Sequence, residues 1–161
     1  MTRARGWTLK PSDPGYPRPS SEAAKNVMRG NRKIGSRPEA SLRRELHARG
    51  LRYRKNPSLP TSIGRVRPDI VFPGPKVAVF VDGCFWHSCP THGNTPRTNR
   101  GYWEPKLQRN RGRDRLVTDA LTAEGWLVVR VWEHEPLAHA ASTVERAVRA
   151  RTLGDAQASQ R

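Results

Sequence analysis

The chain has 161 residues, enough for one domain with a buried core, although hydrophobic residues make up only 35% of it. Lys and Arg number 30 against 14 Asp and Glu, a formal net charge of +16. Such an excess favours a polyanionic partner, because neutralising phosphates releases condensed counterions. No apolar stretch reaches the ~20 residues of a membrane span, no helix is both basic and strongly amphipathic, and the charged start around Arg3 and Arg5 has no apolar run behind it, as a signal peptide would. The pattern predicts an intracellular, cytoplasmic and nucleoid-associated protein without a membrane partner. In that compartment two cysteines five positions apart read as metal ligands rather than as a disulfide.

Residues 1–22, with Pro11, Pro14, Pro17 and Pro19, read as a flexible basic arm. Asn26 to Arg37 is basic and polar, with Met28 as its anchor. Pro38 to Gly50 reads as a helix, Pro38 in the first turn and Gly50 as the stop, with Ala40, Leu42 and Leu46 as a thin apolar face. Leu51 to Arg54 is a candidate strand, and Leu59 to Gly64 reads as a turn-rich loop. Pro68 to Phe72 and Val77 to Val81 are strands joined by a hairpin-like Pro73-Gly-Pro-Lys76. A loop follows from Pro90 to Gly101. A helix is predicted from Trp103 or Glu104 to Glu124, then a strand from Trp126 to Trp132. Ser142-Thr-Val-Glu145 has the form of a capping box, placing the start of a last helix there and its end near Leu153. The order α-β-β-β-α-β-α predicts a mixed α/β sandwich around a central sheet. The domain is expected to span 23–153, with a disordered tail over 154–161.

Asp82-Gly-Cys-Phe-Trp-His-Ser-Cys-Pro-Thr-His92 concentrates the chemistry at the end of an apolar strand. Cys84, Cys89 and His92 form a C-x4-C-x2-H cluster, and His134, at the end of the Trp126 to Trp132 strand, can complete a four-ligand zinc set. His87 competes with His92 as third ligand. Asp69 lies in a strand, where aspartate is disfavoured and costly unless paired or metal-bound. Asp69 and Asp82 on adjacent strands suit an oxygen-seeking ion such as Mg2+, with His87 as a possible general base; the alternative for Asp69 is an ion pair with Arg65 or Arg67. On the long helix, Leu107, Asn110, Asp114, Val117 and Leu121 share one face by 3.6-residue periodicity. Lys106, Asn110 and Asp114 run beside the leucines, and a hydrogen bond accepted by Asp114 from the imidazole would fix the His87 tautomer. Phe85, Trp86 and Trp103 are flat apolar groups in a basic setting, suited to core packing or to insertion between bases.

The pattern Arg67-Pro-Asp69, Asp82-Gly-Cys-Phe-Trp-His87, Thr98, Trp103, Lys106, Asn110, Asp114 and Gly125-Trp126 through Val131-Trp-Glu-His134 resembles the very short patch repair (Vsr-type) DNA mismatch endonucleases, over residues 22 to 136. Met28-Arg29 and Pro38-Glu39 fit the same family. The resemblance implies a restriction-endonuclease-like core with a structural zinc. It implies a monomeric enzyme that uses Mg2+ to nick one strand of double-stranded DNA 5′ to the thymine of a T:G mismatch. By the same resemblance Asp69 is a metal ligand, His87 the catalytic histidine, Glu39 an acid beside the site and Asp114 the support of the histidine. Phe85, Trp86 and Trp103 would wedge into the duplex, Lys106 and Asn110 would contact DNA, and Cys84, Cys89, His92 and His134 would hold zinc. The best-known members have a second active-site histidine where this chain has Asp82, so Asp82 is expected to be a direct Mg2+ ligand. Nicking of methylated or undamaged DNA in host defence, and a zinc-stabilised DNA-binding module without catalysis, are the competing readings.

Overall fold

The computed structural model describes residues 36–93 and 99–158; the basic arm, the 26–35 stretch and Thr98 lie outside them. Helix α1 (Arg37–Ala48) begins where the Ser36 hydroxyl accepts the Glu39 N–H at 3.4 Å, with Pro38 in the first turn, where its missing N–H has no intrahelical partner to lose. It ends at Gly50, whose φ of +79° favours glycine. Leu42 and Leu46, one turn apart, carry its buried face.

The central sheet contains β1 (Arg54–Lys55), β4 (Ile70–Phe72), β5 (Val77–Asp82) and β6 (Leu127–Trp132), in the order β1-β4-β5-β6. β1, β4 and β5 pair antiparallel; β5 and β6 pair parallel, with Val77 opposite Leu127 and Asp82 opposite Trp132. A parallel pair needs a long crossover, supplied here by α2 (Arg100–Ala123). The last helix, α3 (Leu137–Ala158), lies on the opposite face with α1. Between them sits the larger core: Leu42 and Leu46 of α1, Ile70 and Phe72 of β4, Val77 and Val79 of β5, Val129 and Val131 of β6, and Ala141, Val144 and Val148 of α3. Each fully buried Leu, Ile or Val here contributes about 1.5–3 kcal/mol by leaving water. Across the sheet, Val117 and Leu121 of α2 pack with Ala78 and Val66. The expected mixed α/β sandwich with a central sheet is therefore observed.

Five features differ from the sequence reading. The expected loop from Leu59 to Gly64 belongs to a second hairpin, β2 (Leu59–Thr61) and β3 (Gly64–Val66). Pro60 is tolerated because, among the described residues, β2 pairs along one edge only. Thr61 Oγ1 donates to the Gly64 carbonyl at 2.7 Å and closes the turn. The first strand is only Arg54–Lys55, because Leu51 and Tyr53 are spent packing on the core. α2 starts at Arg100, a turn before Glu104, and carries Pro105 inside. α3 starts at Leu137, five residues before the capping-box serine: the Pro136 carbonyl accepts the His139 and Ala140 N–H groups, and the run Leu137-Ala-His-Ala-Ala propagates helix readily. Ser142 instead accepts a hydrogen bond from Arg49 at 3.0 Å. α3 also runs on to Ala158, through most of the segment expected to be a disordered tail.

Candidate active site and metal centre

The functional side chains collect where β5 and β6 end and the 83–93 loop begins. Parallel pairing sets Asp82 beside Trp132, so the loop after β5 and the Glu133-His134 turn after β6 leave the sheet side by side. Glu133 Oε1 accepts the Cys84 N–H at 2.7 Å and fastens one to the other.

That juxtaposition assembles a four-donor cluster of Cys84, Cys89, His92 and His134, with ligand atoms all within 4.8 Å of one another. Cys84 Sγ lies 3.0 Å and Cys89 Sγ 3.7 Å from His134 Nδ1, and Cys89 Sγ lies 4.0 Å from His92 Nδ1. A tetrahedral ion with bonds of about 2.3 Å to sulfur and about 2.0–2.1 Å to nitrogen requires sulfur–nitrogen edges of about 3.6 Å. The donor set and spacing fit such an ion. Burial and the neighbouring Cys89 push the Cys84 thiol up to about 11, so a cation would help it carry thiolate charge, while Cys89, although burial raises it, is brought below its ordinary value by hydrogen bonds from the His92 and Thr91 backbone. His92, not His87, takes the third position. The backbone folds to allow it: Cys89 N–H donates to Cys84 O at 2.9 Å and Gly93 N–H to Cys89 O at 2.6 Å. A Cβ at Gly93 would overlap the Cys89 carbonyl.

His87 points the other way, to α2. Its Nδ1 lies 2.6 Å from Asp114 Oδ2 and 3.6 Å from Asp82 Oδ1. Burial lowers its pKa, but the hydrogen bond to Asp114 and the charges of Asp82 and Asp114 outweigh it, and the imidazole ends above its ordinary value. With Nδ1 committed to Asp114, Nε2 is the nitrogen left to exchange a proton.

Asp69 immediately precedes β4. Its N–H donates to Val79 O at 3.0 Å, and its Oδ2 accepts the Val81 N–H at 2.8 Å, so the carboxylate is anchored across the strand pair. Burial pushes its pKa up to about 6, the Val81 hydrogen bond opposes this, and the charges of Glu39 and Asp82 raise it further. No ion pair with Arg65 forms: that guanidinium bonds Ser58 instead. Glu39 is only 3% exposed and pairs with Arg43, with Asn56 Nδ2 at 3.5 Å. Burial of an acid near two others is disfavoured, and a positive charge placed there would offset it.

Asp82 does not sit as a ready ligand. Both its oxygens are bonded to Arg130, Oδ2 to Nε at 2.7 Å and Oδ1 to Nη2 at 3.0 Å. Nη2 also lies 3.0 Å from Asp114 Oδ1. Arg130 and Glu133 escaped the sequence reading. The available signal for Arg130 was an arginine inside the apolar run Leu127-Val-Val-Arg-Val131, where a charge requires a buried partner.

The aromatics form one cluster beside this centre. Phe85 lies edge-on to Trp86 and to Trp103, with centroids 4.9 and 5.3 Å apart. Lys106 Nζ sits 5.0–5.3 Å from the rings of Trp86, Tyr102 and Trp103. Asn110 Nδ2 donates to the Trp86 carbonyl at 3.2 Å. Trp103 is 8% exposed and forms the base of the cluster, while Phe85 and Trp86 are half-buried.

A family model described as DNA mismatch endonuclease Vsr matches residues 20–92. The chain is 53% identical over 130 residues to the type II nicking enzyme V.NaeI of Lentzea aerocolonigenes, covering 80% of this chain and 78% of that one. The chain belongs to the Vsr family of DNA endonucleases. It is also 41% identical over 118 residues to the type II nicking enzyme V.XorIIP of Xanthomonas oryzae, covering 72% and 83% of the two chains. To the DNA mismatch endonuclease Vsr of Escherichia coli it is 35% identical over 97 residues, 59% of each chain. Among the described residues, no helix is long and apolar enough to cross a membrane.

Proposed function

We propose that this Vsr-family endonuclease is a Mg2+-dependent enzyme that nicks one strand of double-stranded DNA 5′ to the thymine of a T:G mismatch. The observation that carries the hydrolytic part is the pairing of two groups on one sheet end: the anchored, desolvated Asp69 beside Glu39 and Asp82, and the Asp114-bound His87. Asp69 would hold Mg2+, with Glu39 adding negative charge behind it. Bound there, Mg2+ would polarise the scissile phosphate and lower the pKa of a water molecule. His87 takes the proton of the attacking water at Nε2, and Asp114 stabilises the imidazolium that results. The Cys84, Cys89, His92, His134 set holds a structural zinc that keeps the His87 loop in place. Phe85, Trp86 and Trp103 are the wedge against the mismatched pair, with Lys106 and Asn110 contacting the DNA at its base. The core is assigned to the restriction-endonuclease-like class, working as an intracellular monomer.

The mismatch is supported by the family model's description and by the name of the E. coli relative. A second reading has its own support: relatives named type II nicking enzymes, V.NaeI and V.XorIIP among them, carry no mismatch in their names. In that reading the same centre nicks undamaged or methylated DNA. End-labelled matched and T:G duplexes, incubated with Mg2+ and resolved strand by strand, decide between them. A nick confined to the thymine strand of the T:G duplex is expected; equal cutting of both duplexes would remove the mismatch requirement.

A further inference from the structure

We propose that Arg130 is a positioning residue that locks Asp82 and Asp114 into one bracket around His87, so that Asp82 serves the histidine rather than the metal. Arg130 lies on β6 opposite Phe80, and its guanidinium stacks over that ring at 4.9 Å. From there its fork reaches both acids: Nε and Nη2 grip Asp82 at 2.7 and 3.0 Å, and Nη2 holds Asp114 Oδ1 at 3.0 Å. Nη1 lies 3.4 Å from the Asp114 carbonyl and from Thr118 Oγ1, which ties the guanidinium to the α2 backbone as well. The consequence falls on His87. Asp114 is oriented with Oδ1 on Arg130, so Oδ2 faces Nδ1 at 2.6 Å. Asp82 presents Oδ1 to the same nitrogen at 3.6 Å. One rigid, bidentate cation thus sets two carboxylates and, through them, the ring orientation. A lysine, with a single point of charge, could not grip both acids in the same plane.

The bracket accounts for an acid where the best-known family members carry a histidine. Asp82 is 5% exposed, and an unpaired carboxylate so buried would be strongly disfavoured. Arg130 offsets that charge and in doing so occupies both oxygens through which Asp82 could bind Mg2+.

The inference rests on the proposed role of His87 in hydrolysis, and the two can fail separately. Arg130→Gln and Asp82→Asn are compared with wild type on whichever duplex the wild type nicks, with melting curves as the folding control. Both variants are expected to lose kcat on the order of 10- to 100-fold. KM for DNA and the half-saturating Mg2+ concentration should each stay within about twofold of wild type. Asp82→Asn shifting Mg2+ half-saturation tenfold or more would make Asp82 a ligand and overturn the bracket. So would an unchanged kcat in Arg130→Gln, or a rise in KM for DNA as its main effect. Should Arg130→Gln fail to fold, Asp82→Asn carries the same comparison with Arg130 intact. A readout without turnover accompanies them: long-range proton–nitrogen spectra of the imidazoles at fixed pH, with His87 assigned through His87→Gln. Wild type is expected to hold His87 as the Nδ1-protonated form and Arg130→Gln to show a mixture of tautomers. An unchanged pure tautomer in Arg130→Gln would also overturn the bracket. If the wild type nicks no duplex while the spectra behave as expected, the proposed function fails and the bracket stands.

Discussion

At the scale of single residues, the proposed mechanism would separate charge from proton transfer. Asp69 is fixed by the Val81 N–H and surrounded by acid, which suits it to a cation. His87 is fixed by Asp114 and keeps Nε2 for the proton. Replacing His87 with Gln should therefore lower kcat by about 10²- to 10⁴-fold, the usual worth of a general base, while gel-shift affinity for the duplex stays near wild type. Loss of binding in step with loss of cutting would assign His87 to DNA contact instead. Both residues stand out in the sequence because their chemistry conflicts with their surroundings, an aspartate just before a strand and a histidine among aromatics, and the roles proposed for them start from that conflict. The Cys/His cluster was legible through ligand type. His92 was named as its third member from the C-x4-C-x2-H spacing, with His87 as competitor; the fold of the 84–93 backbone sends His92 inward and His87 to α2. Arg130 and Glu133 act across 48 and 49 positions of sequence, on Asp82 and the Cys84 N–H. Such partnerships come from the parallel β5–β6 register, which residue types do not encode locally.

At the scale of elements, two fastenings hold the site's frame. One is the loop tied by Cys84, Cys89, His92 and His134. Because structural metal binding is folding free energy, chelation of a zinc-loaded preparation should lower the melting temperature and open both cysteines to thiol reagents together. Labelling of both thiols in the metal-loaded protein at the same rate would argue against the cluster. The other fastening joins the helices on the opposite face. Arg49, just past α1, bonds Glu45 at 2.9 Å, Glu145 of α3 at 3.0 Å and Ser142 at 3.0 Å. Hydrogen bonds from Arg49 and Arg149 hold the Glu145 carboxyl below its ordinary value of 4.5. A folded-state pKa below the unfolded one stabilises above the unfolded value, and that contribution disappears as pH falls through the folded value. Arg49→Gln should thus melt below wild type at neutral pH, with the gap closing as pH drops through about 4 and below. A gap independent of pH would place the effect of Arg49 in packing alone. The helices themselves are held mainly by burial: Leu46 is 0% exposed, and Leu46→Ala should cost about 2–5 kcal/mol in denaturant unfolding. The last helix starts five residues before the serine of the expected capping box, because Ser142 and Glu145 fit a capping pattern while serving Arg49.

At the scale of the whole molecule, charge and architecture address one partner. The chain carries a net charge of +16. Glu39, Asp82, Asp114 and Glu145 all face arginines within the fold. Positive charge is left on the surface, and on α2 it includes exposed Arg111, Arg113 and Arg115, on the helix that also carries Lys106, Asn110 and Asp114. Association with DNA should consequently be driven by counterion release. With six to ten phosphates neutralised, log K against log salt should fall with a slope of about −5 to −9. The slope should be nearly the same for matched and T:G duplexes, because phosphate contacts position the protein without reading sequence. Discrimination would then appear as a vertical offset between two parallel lines, and in kcat, where the aromatic cluster and the bracketed His87 act. Lines that converge at high salt would place discrimination in extra phosphate contacts, and a slope near zero would remove electrostatics as the source of affinity.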